Sequence, residues 1–161
     1  MRGRGRVNGS GEGAGVDVFL NNPAGGALPE ELVESGIRAA LEAEEVERGE
    51  LSLTFLDDAG ITSLNREHLG RDRTTDVIAF ALHEAGEPPL GDIYVGYDQA
   101  RRQSEELGVS LEEELLRLAI HGTLHVLGYD HPEGEGRTES PMFRRQEALV
   151  RAVLDAPEDS I

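Results

Sequence analysis

The 161-residue chain carries 32 acidic and 15 basic residues, a formal net charge of −17 at pH 7. This balance argues against a nonspecific nucleic-acid coat, because such binding depends on neutralising phosphates, although it leaves room for a small basic patch. The chain has no cysteine, which excludes disulfides, iron–sulfur clusters and thiolate zinc sites. Its length fits one compact domain and is too short for two domains of ordinary size.

The first fifteen residues alternate arginine with glycine and continue in a glycine-rich stretch. Since this composition offers little to bury, we predict a disordered Gly/Arg-rich tail over residues 1–15 and a single domain over residues 16–156. No apolar segment follows the arginines as in a secretion signal, and no apolar run is long enough to span a bilayer. We therefore expect a cytoplasmic protein that does not associate with membranes.

The order of periodic segments predicts the fold class. Alternating apolar and polar residues indicate strands, and apolar residues three or four positions apart indicate helices. The continuous apolar run at 77–82 predicts a strand buried on both faces, and Asp98 is expected to cap the helix after the next strand. The predicted elements are strand 16–20, helix 29–41, strand 51–56, a short helix within 61–69, strands 77–82 and 90–97, and helices 98–108, 110–127 and 141–154.

These segments follow one another as strand, helix, strand, helix, two strands and three helices. This order predicts an α+β (mixed α/β) single domain, in which a small mixed four-stranded sheet is covered by about five helices. The charged segment 70–75 is predicted to be a loop.

The helix between Ser110 and Gly128 has the clearest signals in the chain. Ser110 and Glu113 form a capping box, and Gly128 stands where a helix ends. The helix is apolar almost all round, which indicates burial, yet polar side chains occupy an arc of roughly 80°. Buried polar groups must face a cleft or a partner that satisfies them. This polar stripe consists of Glu114, Arg117, His121 and His125, with Leu118 at its edge.

The two histidines of the stripe are predicted to bind a metal. His121 and His125 are four residues apart, so their Cβ atoms lie about 5–6 Å apart and both rings can reach one ion. Gly128 lets the chain leave the helix and turn back, which brings His131 toward the pair. Three imidazoles and one water complete a tetrahedral zinc site of the catalytic kind. We therefore expect one divalent metal, zinc as the first choice, that serves hydrolysis.

The same histidine spacing occurs in a class of zinc proteases, where a glutamate after the first histidine is the general base. Gly122 occupies this position here and cannot accept a proton, so peptide hydrolysis by that route is disfavoured. A metal-bound water of lowered pKa still permits other hydrolytic reactions. The remaining histidines, His68 and His83, are interpreted as surface residues, with a place in a remote pocket as the alternative for His83.

The sequence His-Gly-Thr-Leu-His-Val-Leu-Gly-Tyr-Asp-His at 121–131 resembles the signature of the YbeY family, the bacterial rRNA maturation factors. Three upstream stretches resemble other parts of that family's pattern: Leu-Asn at 64–65 followed by Gly-Arg-Asp at 70–72, Thr-Asp-Val-Ile-Ala-Phe at 75–80, and Leu-Gly-Asp-Ile at 90–93. The likeness extends over residues 16–154, nearly all of the predicted domain.

The resemblance implies a zinc-dependent, single-strand-specific endoribonuclease. It implies a role in 3′-end maturation of the small-subunit 16S rRNA and in ribosome quality control, with rRNA and the small ribosomal subunit as partners. The implied ligands of the single zinc ion are His121, His125 and His131, the three residues also chosen from their spacing.

The sequence departs from the family pattern in the loop before Thr75. The family's functional arginine is missing at its own position, where Leu69 stands. Arg71 or Arg73 is the candidate replacement, since either guanidinium could bind a phosphate; a purely solvated loop is the alternative. Thr74 also stands where the family commonly has proline.

Two further functions stay open. The first is a non-catalytic ribosome assembly factor with a structural metal, which would keep its ribosome association after loss of the histidines. The second is a metal-dependent hydrolase of peptides or small molecules, whose peptidase version Gly122 disfavours. The acidic net charge counts against the RNA hypothesis, whereas the histidine spacing and the family resemblance favour it.

Overall fold

The computed structural model describes residues 5–6, 15–129 and 140–156. Over these residues the helices and strands follow the predicted order, with one short strand added at the N-terminus. None of the described helices has the length and apolar character needed to cross a bilayer. The elements are β1 (Gly5–Arg6), β2 (Val16–Asn21), α1 (Glu30–Ala43), β3 (Gly49–Leu56), α2 (Asp58–Leu69), β4 (Val77–Ala81), β5 (Leu90–Gly96), α3 (Tyr97–Leu107), α4 (Leu111–Val126) and α5 (Pro141–Asp155).

The strands form one mixed sheet in the order β1-β2-β3-β5-β4. β2, β3 and β5 are parallel, whereas β4 runs antiparallel to β5 at one edge. The predicted mixed sheet of four strands with five helices is confirmed, and the two-residue β1 adds a fifth strand, antiparallel to β2, at the other edge. β1 lies within the segment predicted to be a disordered tail; residues 1–4 and 7–14 of that segment lie outside the described residues.

Helix α4 is the centre of the molecule, as predicted. It packs against α1, α3 and α5 and against strands β4 and β5. One side of α4, with Leu115, Leu118 and Ala119, joins the core formed with the sheet and α1. The opposite side, with Leu116 and Ile120, packs with α5. Because apolar neighbours cover both sides, the helix is buried along most of its length. Its polar residues therefore need a cleft or polar partners that satisfy their hydrogen bonds.

Two details of the predicted fold are wrong, and both depend on which elements become neighbours. The apolar run at 77–82 is not a strand buried on both faces: β4 is an edge strand, of which only Ile78 is buried. Asp98 does not cap its own helix, which begins at Tyr97 after Gly96. Its carboxylate instead accepts a hydrogen bond of 3.0 Å from the backbone N–H of Asp58. Asp98 thus helps to cap the start of α2.

Candidate metal centre

A cleft of about 880 Å³ lies between helices α4 and α5 on one side and β4 with the 69–76 segment on the other. The whole polar stripe of α4 lines it: Glu114, Arg117, His121 and His125, with Leu118 beside them. The expectation that these buried polar residues face a cleft is therefore met. Ser110 accepts the N–H of Glu113 at 3.0 Å and begins the helix, and Gly128 follows its end with a φ of 106°.

The two helical histidines lie side by side in this cleft. Their ring centroids are 5.0 Å apart and their planes make an angle of 77°. His131, the third predicted ligand, lies outside the described residues. Among the residues that are described, no group of three histidine, aspartate or glutamate side chains converges as a metal site. His121 and His125 therefore supply two nitrogen donors, and a complete site needs at least one more ligand.

The hydrogen bonds around His121 suit a metal ligand. Its Nδ1 lies 2.6 Å from the side-chain oxygen of Gln146 on α5. The amide nitrogen of Gln146 in turn donates to Glu147 at 2.9 Å. Since an amide oxygen can only accept, Nδ1 of His121 carries the proton and Nε2 carries the lone pair that a metal requires. The sequence had indicated Gln146 only as part of the buried face of α5, so this contact was not foreseen.

The other half of the stripe is an ion-pair network around Arg117. The guanidinium donates to Glu113 at 2.8 Å and to Glu114 at 2.9 Å on its own helix. It also donates to both carboxylate oxygens of Glu147 on α5, at 2.8 and 3.1 Å. Burial alone would lower the pKa of Arg117, but the hydrogen bonds to these carboxylates outweigh it and raise the pKa. Arg117 is thus permanently charged and makes four hydrogen bonds to three carboxylates.

Glu114 is the most deeply buried acid of the cleft, with 2% of its surface exposed. Gln103 on α3 donates to its second oxygen at 2.9 Å. Burial raises the pKa of Glu114, while the hydrogen bonds from Arg117 and Gln103 partly oppose the shift. This residue ties α3 to the cleft wall, and its carboxylate is already engaged from two sides.

Arg71 and Arg73 lie on the opposite wall, in the loop that follows α2. Asn65 fixes the backbone of this loop. Its side-chain nitrogen donates to the backbone carbonyl of Arg73 at 2.9 Å, and its backbone carbonyl accepts the N–H of Arg71 at 3.3 Å. Gly70, with a φ of 70°, makes the left-handed turn that ends α2. Both arginine side chains are exposed, and neither bonds to any described residue. Leu69, 49% exposed, lines the cleft beside them.

Thr74 anchors the same loop at its far end. Its hydroxyl donates to Asp58 at 3.2 Å, and Asp58 is held by both terminal nitrogens of Arg102, at 3.0 and 2.9 Å. The hydrogen bond from Arg102 is the main reason why the pKa of Asp58 is lowered. The threonine thus ties the end of the loop to the first residue of α2.

The glycine after His121 has a packing reason. A Cβ atom at Gly122 would lie 2.5 Å from the Cγ2 atom of Ile93 on β5, far inside van der Waals contact. Helix α4 therefore approaches the sheet too closely for any side chain at this position. A general base cannot occupy it as in the zinc proteases, which supports the prediction against peptide hydrolysis by that route.

The two remaining histidines lie outside the cleft lining. His68 is exposed at the end of α2, and its ring packs edge-on against Phe80 with centroids 5.3 Å apart. Nδ1 of His83 lies 3.0 Å from the backbone nitrogen and 3.1 Å from the carbonyl oxygen of Leu90, so the ring holds the β4–β5 connection. The surface interpretation fits His68, whereas His83 has a local structural role in place of the pocket role kept as its alternative.

The fold and the cleft define a class of protein: a single mixed α/β domain with a histidine pair on a central buried helix and arginines facing it. The family profile described as "Endoribonuclease YbeY" matches residues 26–153. The chain belongs to this family.

Individual relatives agree with the profile. The chain is 46% identical over 134 residues to the endoribonuclease YbeY of Desulfitobacterium hafniense (strain Y51), covering 76% of this chain and 83% of that protein. It is 41% identical over 142 residues to the endoribonuclease YbeY of Bacillus subtilis (strain 168), covering 79% and 89%. The solution structure of TM1509 from Thermotoga maritima is similar with a TM-score of 0.59 and 29% identity, covering 84% and 88% of the two chains.

Proposed function

We propose that this chain is a zinc-dependent, single-strand-specific endoribonuclease of the cytoplasm. Its substrate is rRNA, and its roles are 3′-end maturation of 16S rRNA and ribosome quality control, with the small ribosomal subunit as partner. Family membership supports the endoribonuclease activity. The observation that carries the proposal is the contrast across one cleft. Two histidines that can bind a metal face two arginines whose side chains bond to none of the residues that the structure describes.

We assign one zinc ion per chain to His121 and His125, with His131 as the third ligand expected from the sequence. Such an ion lowers the pKa of a bound water and polarises a phosphate oxygen. The protein contributes the lone pair on Nε2 of His121, because Gln146 keeps the ring proton on Nδ1. The donor set is nitrogen-only among the assigned residues, which suits zinc better than magnesium or calcium.

Arg71 and Arg73 are the phosphate-binding residues in this proposal. A guanidinium binds phosphate oxygens through two parallel hydrogen bonds and stabilises charge that develops during cleavage. Arg117 also lines the cleft, but its charge is already balanced by three carboxylates, which makes it less suited to binding a phosphate. Arg71 and Arg73 can do so directly, because their side chains are exposed and their backbone is anchored.

The preference for single strands is supported by the aromatic residues of the cleft. Phe80 on β4 and Phe143 on α5 both line it. Unpaired bases can stack on aromatic side chains, whereas bases in a duplex are already stacked and paired. The two rings can thus bind bases while the arginines bind the backbone.

The test is cleavage of a single-stranded RNA that contains the 3′ end of 16S rRNA, with its duplex form as comparison. We expect the zinc-loaded protein to cut only the single strand, and Arg71→Ala/Arg73→Ala to cut it roughly 100-fold more slowly, the order found when a charge-stabilising donor is lost. Arg66→Ala is the matched control, since Arg66 lies in the same region but bonds to Asp72.

Two results would redirect the proposal. If single-stranded rRNA stays intact at every metal and salt concentration tried, the chain is not a ribonuclease. If His121→Ala retains its fold and its ribosome association while no form of the protein cleaves RNA, the chain is a non-catalytic assembly factor.

A further inference from the structure

We propose that Gln146 is a positioning residue for His121, which fixes both the tautomer and the direction of that ring. The inference rests on the proposed function in one respect: His121 is taken to be a metal ligand. Gln146 itself does not touch the metal or the substrate in this proposal. It acts through the 2.6 Å hydrogen bond between its side-chain oxygen and Nδ1 of His121.

The contact is buried on the side of Gln146. Only 5% of this residue is exposed, although it also forms part of the cleft wall. A buried amide is tolerated when its donor and acceptor groups are bonded. Both ends of Gln146 meet this condition, the oxygen at His121 and the nitrogen at Glu147. The short bond therefore belongs to a fixed arrangement rather than to a mobile surface side chain.

The orientation of the amide is fixed by its second partner. Glu147 is held by two hydrogen bonds from Arg117, at 2.8 and 3.1 Å. These bonds and burial act in opposite directions, and the pKa of Glu147 is nevertheless lowered, so the carboxylate is charged and can only accept. If the amide of Gln146 rotated by 180°, its oxygen would face this carboxylate. The network thus keeps the nitrogen toward Glu147 and the oxygen toward His121.

The consequence for His121 is a single protonation pattern. A neutral imidazole carries its proton on one nitrogen and a lone pair on the other. With an obligate acceptor at Nδ1, the proton stays there and Nε2 keeps the lone pair for the cleft. Loss of this acceptor would release the ring to other tautomers and orientations. Removing such a partner of a metal-binding histidine typically lowers metal affinity by roughly 10–100-fold.

The tautomer can be measured in the zinc-free protein by ¹⁵N NMR of histidine, above the pKa of the rings. We expect the Nδ1–H form for His121 in the wild type and a shift toward the Nε2–H form in Gln146→Met. His83 is an internal comparison, because it lies outside the cleft lining and its Nδ1 contacts the backbone of Leu90. The signal of His83 should not change in the variant.

Zinc affinity, measured by competition with a chromophoric chelator, is the second readout. We expect Gln146→Met to bind zinc roughly 10–100-fold more weakly. Gln146→Glu/Glu147→Gln should recover much of the loss and retain the Nδ1–H form, because a carboxylate at position 146 also accepts from Nδ1 and an amide at position 147 can donate to its second oxygen. Arg145→Met is the matched control: it changes the neighbouring residue, whose guanidinium pairs with Glu44, and should bind zinc like the wild type. If Gln146→Met fails to fold, Gln146→Asn withdraws the same amide by one methylene.

The outcomes separate this inference from the proposed function. A folded Gln146→Met or Gln146→Asn protein with unchanged zinc affinity and an unchanged His121 tautomer would overturn the inference. A wild-type protein that binds no zinc would refute the proposed function instead. In that case the tautomer of His121 in the zinc-free protein still decides whether Gln146 fixes the ring.

Discussion

The two walls of the cleft are built in opposite ways. On the helical wall, formed by α4 and α5, polar side chains bond to one another: Arg117 alone joins three carboxylates, and Gln146 links Glu147 to His121. On the loop wall the backbone is anchored by Asn65 and Thr74. The guanidiniums of Arg71 and Arg73 extend from it without a bond to any described residue.

This difference fits two kinds of task. A metal ligand needs its nitrogen within a few tenths of an ångström of one position, and rigid packed helices provide such accuracy. A phosphate contact on a flexible strand needs reach and charge, which an exposed arginine provides. Substitutions on the helical wall should therefore alter stability or metal binding, whereas substitutions on the loop wall should alter substrate turnover with the fold intact.

The largest effect is expected from loss of the histidine pair. His121→Ala/His125→Ala removes two of the three proposed ligands, and one remaining imidazole cannot retain zinc at ordinary protein concentrations. We expect about one zinc per chain in the wild type, none in the variant, and no RNA cleavage by the variant. Elemental analysis of the purified proteins measures this directly.

His68→Ala/His83→Ala is the control for that experiment. It removes the same number of imidazoles from positions outside the cleft lining, so its zinc content should equal that of the wild type. Equal zinc content in all three proteins would mean that the ion lies elsewhere. No zinc in the wild type, even after zinc is supplied at neutral pH, would make the histidine pair a structural feature.

The second largest effect is expected from Arg117→Met, which breaks the ion-pair network. The variant leaves Glu114, 2% exposed, without its cation. Removing one partner of a buried ion pair costs about 3–5 kcal/mol, because the other charge stays buried and uncompensated. We expect a loss of this size in the free energy of unfolding in urea at pH 7. The loss should become smaller as the pH is lowered, because burial raises the pKa of Glu114 and a protonated carboxyl needs no cation.

Two further variants sharpen this prediction. Arg117→Met/Glu114→Gln should recover much of the stability, since the glutamine stays neutral and can still accept from Gln103. Arg102→Met removes an exposed ion pair with Asp58 and should change stability far less. A loss for Arg117→Met no greater than that for Arg102→Met would show that the network contributes little to the fold.

The sequence predicted the features of this site that lie within single elements. The cap at Ser110, the end near Gly128 and the polar stripe of α4 all follow from local preferences and helical periodicity, and the structure places the stripe in a cleft. The family resemblance is likewise confirmed by the profile and the relatives. The assignment of Arg71 and Arg73 stays a prediction, although both line the cleft.

The parts that could not be predicted depend on contacts between distant elements. The apolar run of β4 is as continuous as that of a central strand, and only the strand order shows that it lies at an edge. The cap that Asp98 gives to α2 joins residues 40 positions apart. The bond between His121 and Gln146 spans 25 positions and two helices. Helical spacing places Gln146 on a buried face but does not identify the residue opposite it.

The smallest effect is expected in how the contribution of Glu147 to stability changes with pH. This contribution again distinguishes the helical wall from the loop wall. Its pKa lies below the ordinary value of 4.5 because hydrogen bonds from Arg117 and Gln146 outweigh its burial. The folded state then takes up the proton less readily than the unfolded chain. The stabilisation that ionised Glu147 gives to the fold is therefore complete above its ordinary pKa. It is lost as the pH falls through the lowered pKa of the folded state. Glu114, whose pKa is raised, contributes with the opposite sign.

A comparison of the wild type with Glu147→Gln isolates this contribution, because Glu114 is the same in both proteins. We expect the wild type to be more stable by about 1 kcal/mol at pH 7, with the difference shrinking as the pH falls below 4.5. The loop-wall control is Asp72→Asn, which breaks the exposed pair with Arg66 and should show almost no such dependence. The two variants could instead show the same pH dependence of stability. In that case Glu147 on the helical wall would be held as weakly as Asp72 on the loop wall, and the two walls would not differ in how they hold their charges.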